Sequence, residues 1–346
     1  MATMKYMQAI RPAGVLLGLA GLIGLIGIRG AYGQLQSKAM VDAPQLVVLD
    51  TDIGDDIDDA FALALVLQSP ELKLLGVTTT FGNTELRARL LERYLTAAGR
   101  ADVPIAAGPE TAAKNVFTQK AYAERAPHLQ FADGVDFLLG QIRAHPGEIT
   151  LIAIGPLSTV QAAIARDPET FKKLKRVVLM GGSIDRGYDG PANGSGAGER
   201  RPPDAEWNFL CDPAGAQALL ASGVPVFILP LDSTQVHLPL GDQEEIFAHG
   251  SPLTDQLTLL YHQWAGAGGN DGPAAVTKLP TPTLYDPVAV TYTFRPDLCP
   301  ATPMRIEVDD KGFSRQVPGP PNAQVCLHAD EKGFLDLLVS RLTGSD

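Results

Sequence analysis

Short apolar runs and amphipathic stretches take turns along the chain, and that alternation restricts its fold more than any other feature. QLVVL (45–49), LKLLGVTTT (72–80), ITLIAIG (149–155), RVVLMGG (176–182) and VPVFILP (224–230) are strand-length and apolar. Between them, DDAFALALVLQ (58–68), ELRARLLERYLTAAG (85–99), STVQAAIARD (158–167) and PAGAQALLASG (213–223) repeat apolar residues at helical spacing. Buried strands separated by helices predict an α/β fold: a mostly parallel central sheet with helices on both faces. In such sheets ligands bind beyond the carboxyl ends of the strands. No repeat or linker interrupts 41–346, so one large domain is expected there.

Directly behind the first strand stands DTDIGDDIDD (50–59), six of whose ten residues are aspartates. Like charges this close repel, and each carboxylate beside a core loses hydration, unless a cation or a proton-sharing task compensates. Capping and the helix dipole explain one aspartate at a helix start, not six. Asp50 and Asp52 on alternate strand positions, followed by Asp58 and Asp59 in a first helical turn, can converge on a hard divalent cation such as Ca²⁺. An EF-hand is excluded, because Asp55 and Phe61 stand where its sixth-position Gly and twelfth-position Glu belong. Asn83, Ser158 and Gly181 to Ser183 follow other strands and are expected at the same edge. The Gly/Pro-rich stretch 185–204 is expected as a long loop there, either a surface insertion or a lid.

The net charge of -11, with no run of Lys or Arg, argues against a nucleic-acid partner and for a small ligand. Three cysteines without Cys/His spacing exclude a thiolate metal site; Cys299 and Cys326 can pair in an oxidising compartment, while Cys211 reads as a buried thiol. Residues 1–33 read as an export signal: Lys5 and Arg11, then an uncharged apolar run, then Ala31-Tyr32-Gly33 as a cleavage site. The alternative is an uncleaved anchor through 12–28, although the run of about 14 to 16 residues is short for a full span. Either way the folded part is expected outside the cytoplasm, periplasmic or secreted, with no other membrane contact.

The motifs together resemble the nucleoside hydrolase family, Ca²⁺-dependent ribonucleoside N-glycosidases of the inosine/uridine-preferring type. LDTDIGDDIDDAFAL (49–63) is similar to the family's DTDxG…DDA signature with two more residues in the turn. LGVTTTFGNTE (75–85), AIGPLSTVQAAI (153–164), VLMGGS (178–183), DAEWNFLCDPAGA (204–216) and LYDPVAV (284–290) follow in family order. The resemblance implies hydrolysis of a ribonucleoside to free base and ribose, with a Ca²⁺-bound water as nucleophile and Asp52 as both metal ligand and general base. It assigns Asp59, Asp286 and the Ser158 carbonyl to Ca²⁺, Asp58, Asn83, Glu206 and Asn208 to the ribose, and Asp50 to a supporting place. It also implies a role in purine or pyrimidine salvage and a homo-oligomer, dimer or tetramer.

Two departures stand out. Tyr285 replaces the histidine that serves as acid toward the departing base, and Phe131 or Ala132 replaces a second histidine near the base. Tyr285, Trp207, Phe131 and Tyr188 are candidates for stacking on the base or for core packing, with Trp207 placed among the substrate-binding residues. His237, and after it His262, are further candidates for the leaving-group acid. Two other readings stay open: a Mg²⁺-dependent haloacid-dehalogenase-type phosphatase with Asp50 as nucleophile, and a non-catalytic nucleoside- or ribose-binding protein. Residues 300–330 suggest a small hairpin or edge pair.

Overall fold

The computed structural model describes residues 43–112, 116–127, 130–189, 201–268 and 280–345. Its strands in chain order are β1 (Gln45–Thr51), β2 (Leu72–Thr79), β3 (Ile105–Ala107), β4 (Ala132–Asp133), β5 (Thr150–Ala153), β6 (Arg176–Met180), β7 (Val226–Leu229), β8 (Thr302–Met304), β9 (Ile306–Val308), β10 (Ser314–Gln316) and β11 (Ala323–Val325). Nine of them form one sheet in the order β4-β3-β2-β1-β5-β6-β7-β11-β8. All neighbours are parallel except β8, which runs antiparallel to β11. The mostly parallel α/β sheet expected from the alternation is therefore present.

After β1 the chain winds outward through β2, β3 and β4, then returns to the other side of β1 as β5. The strand order reverses between β1 and β5, which opens a crevice at their carboxyl ends. Asp50 sits in that crevice's floor, paired with Thr78 of β2 on one side and Ala153 of β5 on the other. Alternation along β1 sends Val47 and Leu49 to one hydrophobic core and Val48 to the other, so both faces of the strand are covered.

The helix Asp58–Gln68 is buried from Asp58 through Val66, which makes it a central helix and not the amphipathic one expected. DDAFALALVLQ has no polar face to give to water, so its two aspartates enter the interior with it. It packs against the helix Tyr285–Phe294, also buried from Asp286 through Thr293. Two acidic helix N-termini are thereby brought into one interior volume.

β3 and β4 are too short for a periodic signal and were not anticipated. β9 and β10 form the small antiparallel pair expected within 300–330, while β8 and β11 extend the main sheet. Cys299 and Cys326 are disulfide-bonded, Cα to Cα 5.7 Å, and tie the start of this region to its end. The proposed export segment and part of the 185–204 loop lie outside the described residues. Among the described residues no helix is long and apolar enough to cross a membrane.

Candidate active site

The end of β1 places its side chains alternately, and each acquires a partner from a neighbouring segment of the chain. Asp50 is 0% exposed and accepts a hydrogen bond from the Thr78 hydroxyl at 2.6 Å, while its second oxygen, Oδ2, has no hydrogen-bond partner. The Thr51 hydroxyl donates to Asp59. Asp52, at 7% the most exposed of the cluster's four buried carboxylates, lies against Gly155, the first residue of GPLS. A Cβ at Gly155 would sit 2.7 Å from Asp52 Oδ1 and 2.8 Å from a Thr80 methyl, so this glycine is what lets β5 approach the carboxylate. Gly155→Ala is accordingly expected to displace Asp52 and to lower kcat by about 10²-fold, with a melting temperature lowered by only a few degrees. Steady-state assays beside a thermal melt check it.

Three carboxylates converge: Asp58, Asp59 and Asp286 place an oxygen each within 4.8 Å of one another, all three buried. Asp58 also accepts the Asp286 backbone N–H at 3.3 Å, which joins the two helix starts directly. Burial pushes all three carboxyls well above the usual aspartate range, and repulsion from neighbouring aspartates adds to it. Asp52 is not within that trio, but its charge acts on all three, and burial raises its own carboxyl to about 7 against the lowering effect of Arg87. Burial likewise raises Asp50 to about 7. The donor set is all hard oxygen, crowded and desolvated, which fits a divalent cation and does not fit a soft one. The trio can hold an ion.

Ser158 begins the helix Ser158–Arg166 at the crevice, and its hydroxyl meets that of Thr80 at 2.7 Å. Glu206 is 1% exposed and accepts from the backbone N–H groups of Gly182, Asn208 and Phe209, at 2.8, 2.9 and 3.2 Å. Both of its oxygens are therefore engaged in capping the helix Trp207–Cys211, and burial raises its carboxyl to about 7. Asn208 donates its amide to the Ile154 and Met180 carbonyls at 3.3 and 3.1 Å, bridging the ends of β5 and β6. Asn83 is exposed and caps the helix Thr84–Ala97 by accepting from Leu86 N–H at 2.8 Å.

The aromatic candidates divide. Trp207 meets Phe81 edge to face at 6.2 Å, Tyr188 meets Tyr285 edge to face at 6.3 Å, and the Tyr188 hydroxyl accepts the Trp207 backbone N–H at 2.8 Å. Phe131 and Ala132 belong to the sheet's outer edge at β4, away from β1. His237 is exposed and its Nδ1 lies 3.1 Å from the Thr283 hydroxyl, which also hydrogen-bonds Tyr285. His262 stacks edge to face on Tyr261 of the helix Pro252–Gly266.

Sequence reasoning missed Arg87, buried inside the turn of the aspartate cluster. Asp55 is ion-paired to Arg87 at 2.6 Å, and Asp56 caps its own turn by accepting Ile57 N–H at 2.7 Å. The phosphatase reading meets a physical obstacle, since Asp50, its nucleophile, is enclosed by two strands and 0% exposed.

The model of the inosine-uridine preferring nucleoside hydrolase family matches residues 47–336, most of the chain and every element of the site. This chain belongs to that family. It is a nucleoside hydrolase, cleaving the N-glycosidic bond of ribonucleosides. Among curated relatives, pyrimidine-specific ribonucleoside hydrolases RihA of Citrobacter koseri and of Escherichia coli O9:H4 are each 30% identical over 86% of this chain and 97% of their own length. Among solved structures, the plant nucleoside hydrolase PpNRh1 superposes with a TM-score of 0.72 at 26% identity, over 87% of this chain and 99% of that one. A purine-preferring ribonucleoside hydrolase from Gardnerella vaginalis gives 0.68 at 22% identity over 87% and 98%, a likeness of fold.

Proposed function

We propose that the hydrolase is Ca²⁺-dependent, with Asp52 as the base that takes the proton of the attacking water. The observation that carries this is the convergence of Asp58, Asp59 and Asp286 within 4.8 Å, with Asp52, whose charge acts on all three, slightly more open to solvent than they are. Asp52, Asp59, Asp286 and the Ser158 carbonyl would hold the cation, with Asp58 shared between it and the ribose. Bound there, a hard divalent cation supplies Lewis acidity and an anchor for sugar hydroxyls.

The chain's own groups do the rest. Asp52 accepts one proton from water as its oxygen bonds to the anomeric carbon, and the C–N bond breaks with its electron pair leaving on the base nitrogen. The transition state is oxocarbenium-like, and the surrounding carboxylates favour its positive charge. Asn83, Glu206 and Asn208 flank the sugar, Glu206 and Asn208 from a helix start locked to the ends of β5 and β6. Tyr285 is the proton donor to the leaving nitrogen, with Thr283 linking it to His237 at the surface; burial and nearby aspartates hold its phenol above the usual range, so it gives up its proton only as charge develops on the departing base. Trp207 and Tyr188 offer the base flat apolar contact.

The pyrimidine-specific relatives put uridine and cytidine first among substrates, ahead of inosine. The apolar leader and the Cys299–Cys326 disulfide support export to an oxidising compartment, where such an enzyme would serve nucleoside salvage. Incubation with a panel of ribonucleosides, followed by chromatography of the free base and a reducing-sugar assay, tests the substrate class. Release of base and ribose in equal amounts is expected; release of neither from any ribonucleoside would sink the proposal.

A further inference from the structure

Five consecutive backbone carbonyls of the cluster's turn each accept a hydrogen bond from outside the turn. Arg87 Nη1 donates to the carbonyls of Asp52 and of Ile53, the latter at 3.0 Å. The Gln119 backbone N–H donates to Gly54 O at 3.0 Å, the Thr118 hydroxyl to Asp55 O at 2.7 Å, and the Gln119 side-chain amide to Asp56 O at 2.6 Å. A surface turn would leave such carbonyls to water.

Arg87 organises this arrangement. Its side chain is 1% exposed, and its remaining nitrogens reach the Phe81 carbonyl at 2.8 Å and the Asp55 carboxylate at 2.6 Å. Phe81 holds a left-handed backbone, φ 62, which a phenylalanine adopts only under constraint, and its carbonyl is one of those the guanidinium fixes. The Phe117 ring lies 5.2 Å from the guanidinium carbon and fills the space beside Gly54, whose φ of 125 and missing Cβ admit it. Asp55 and Asp56 are the two residues by which this turn is longer than the signature it resembles. The insertion thus carries its own counter-charge and its own strap.

We infer that Arg87 is a positioning residue which, with the strap Phe117 to Gln119, fixes the turn from Asp52 to Asp56 and so aims Asp52, Asp58 and Asp59 at the cation. The inference rests on the Ca²⁺ reading above. The fork's geometry is what the site needs: a planar guanidinium reaches three carbonyls and a carboxylate at once, whereas the single ammonium of a lysine carries the same charge and cannot. Residues that orient metal ligands without touching the metal typically matter by about 10- to 100-fold in affinity or activity.

Two charge-neutral variants test it, Arg87→Lys and Thr118→Val, the second a milder loosening for the case in which the first does not fold. Ca²⁺ binding to the chelator-treated protein is measured by calorimetry, and kcat and KM for uridine at saturating Ca²⁺, all well below each variant's melting temperature. Arg87→Lys is expected to raise the Ca²⁺ half-saturation and lower kcat by about tenfold or more, with KM changed less, and Thr118→Val to move both the same way by about threefold. A folded Arg87→Lys protein with wild-type Ca²⁺ affinity and kcat, whatever its melting temperature, overturns the positioning role. If that variant does not fold, unchanged Ca²⁺ binding in Thr118→Val overturns it. A wild type that binds no Ca²⁺ overturns the Ca²⁺ reading as well, so the two failures are distinguishable.

Discussion

Asp52→Asn is expected to lower kcat for ribonucleoside hydrolysis by about 10²- to 10⁴-fold while the protein stays folded. The amide preserves the shape that packs against Gly155, and Arg87 holds the backbone carbonyl of residue 52, which the substitution leaves in place. What is lost is the lone pair that accepts water's proton. Because a carboxylate beside the ion site is also lost, Ca²⁺ affinity falls, and kcat must be compared at saturating Ca²⁺. A variant that releases base at the wild-type rate removes the base assignment from Asp52.

Removing divalent cations is the second large effect, on activity and on stability together. Burial raises Asp50, Asp52 and Glu206 to about 7, and Asp58, Asp59 and Asp286 well above the usual range. The metal-free folded state therefore binds protons that the unfolded chain has released. For such groups stability is fully present below the unfolded value of 3.8 and declines as pH rises through about 7. The ion competes with those protons, so its stabilising effect grows with pH. At 100 times its dissociation constant a ligand adds about 2.7 kcal/mol, or about 5 °C for a chain of this size. Melting curves with chelator and with excess Ca²⁺ should differ by about that much at pH 8 and by clearly less at pH 5.

The strand ends were legible because each βαβ unit announces itself twice, by an apolar run and by the polar residue that follows it. The aspartate cluster was legible because so much like charge beside a core demands a partner. Arg87 was not, since ELRARLLERY reads as an ordinary amphipathic helix; its partners Asp52, Ile53 and Asp55 precede it by more than thirty residues. The strap has the same difficulty, because its role depends on a loop closing over a turn sixty-odd residues away. Asn83 and Glu206 were assigned to the ribose, and the fold shows that each also caps a helix, a fact set by local backbone angles. β3 and β4 carry no signal of their own and pair only because β2 offers an edge to β3, and β3 in turn to β4.

The most direct test is a Ca²⁺ add-back on the chelator-treated wild type with uridine, reading reducing sugar and free uracil together. The account predicts negligible release in chelator, recovery of the full rate as Ca²⁺ saturates, and a rise in melting temperature over the same range of Ca²⁺ concentration. Full-rate hydrolysis in chelator, with an unmoved melting curve, would contradict it.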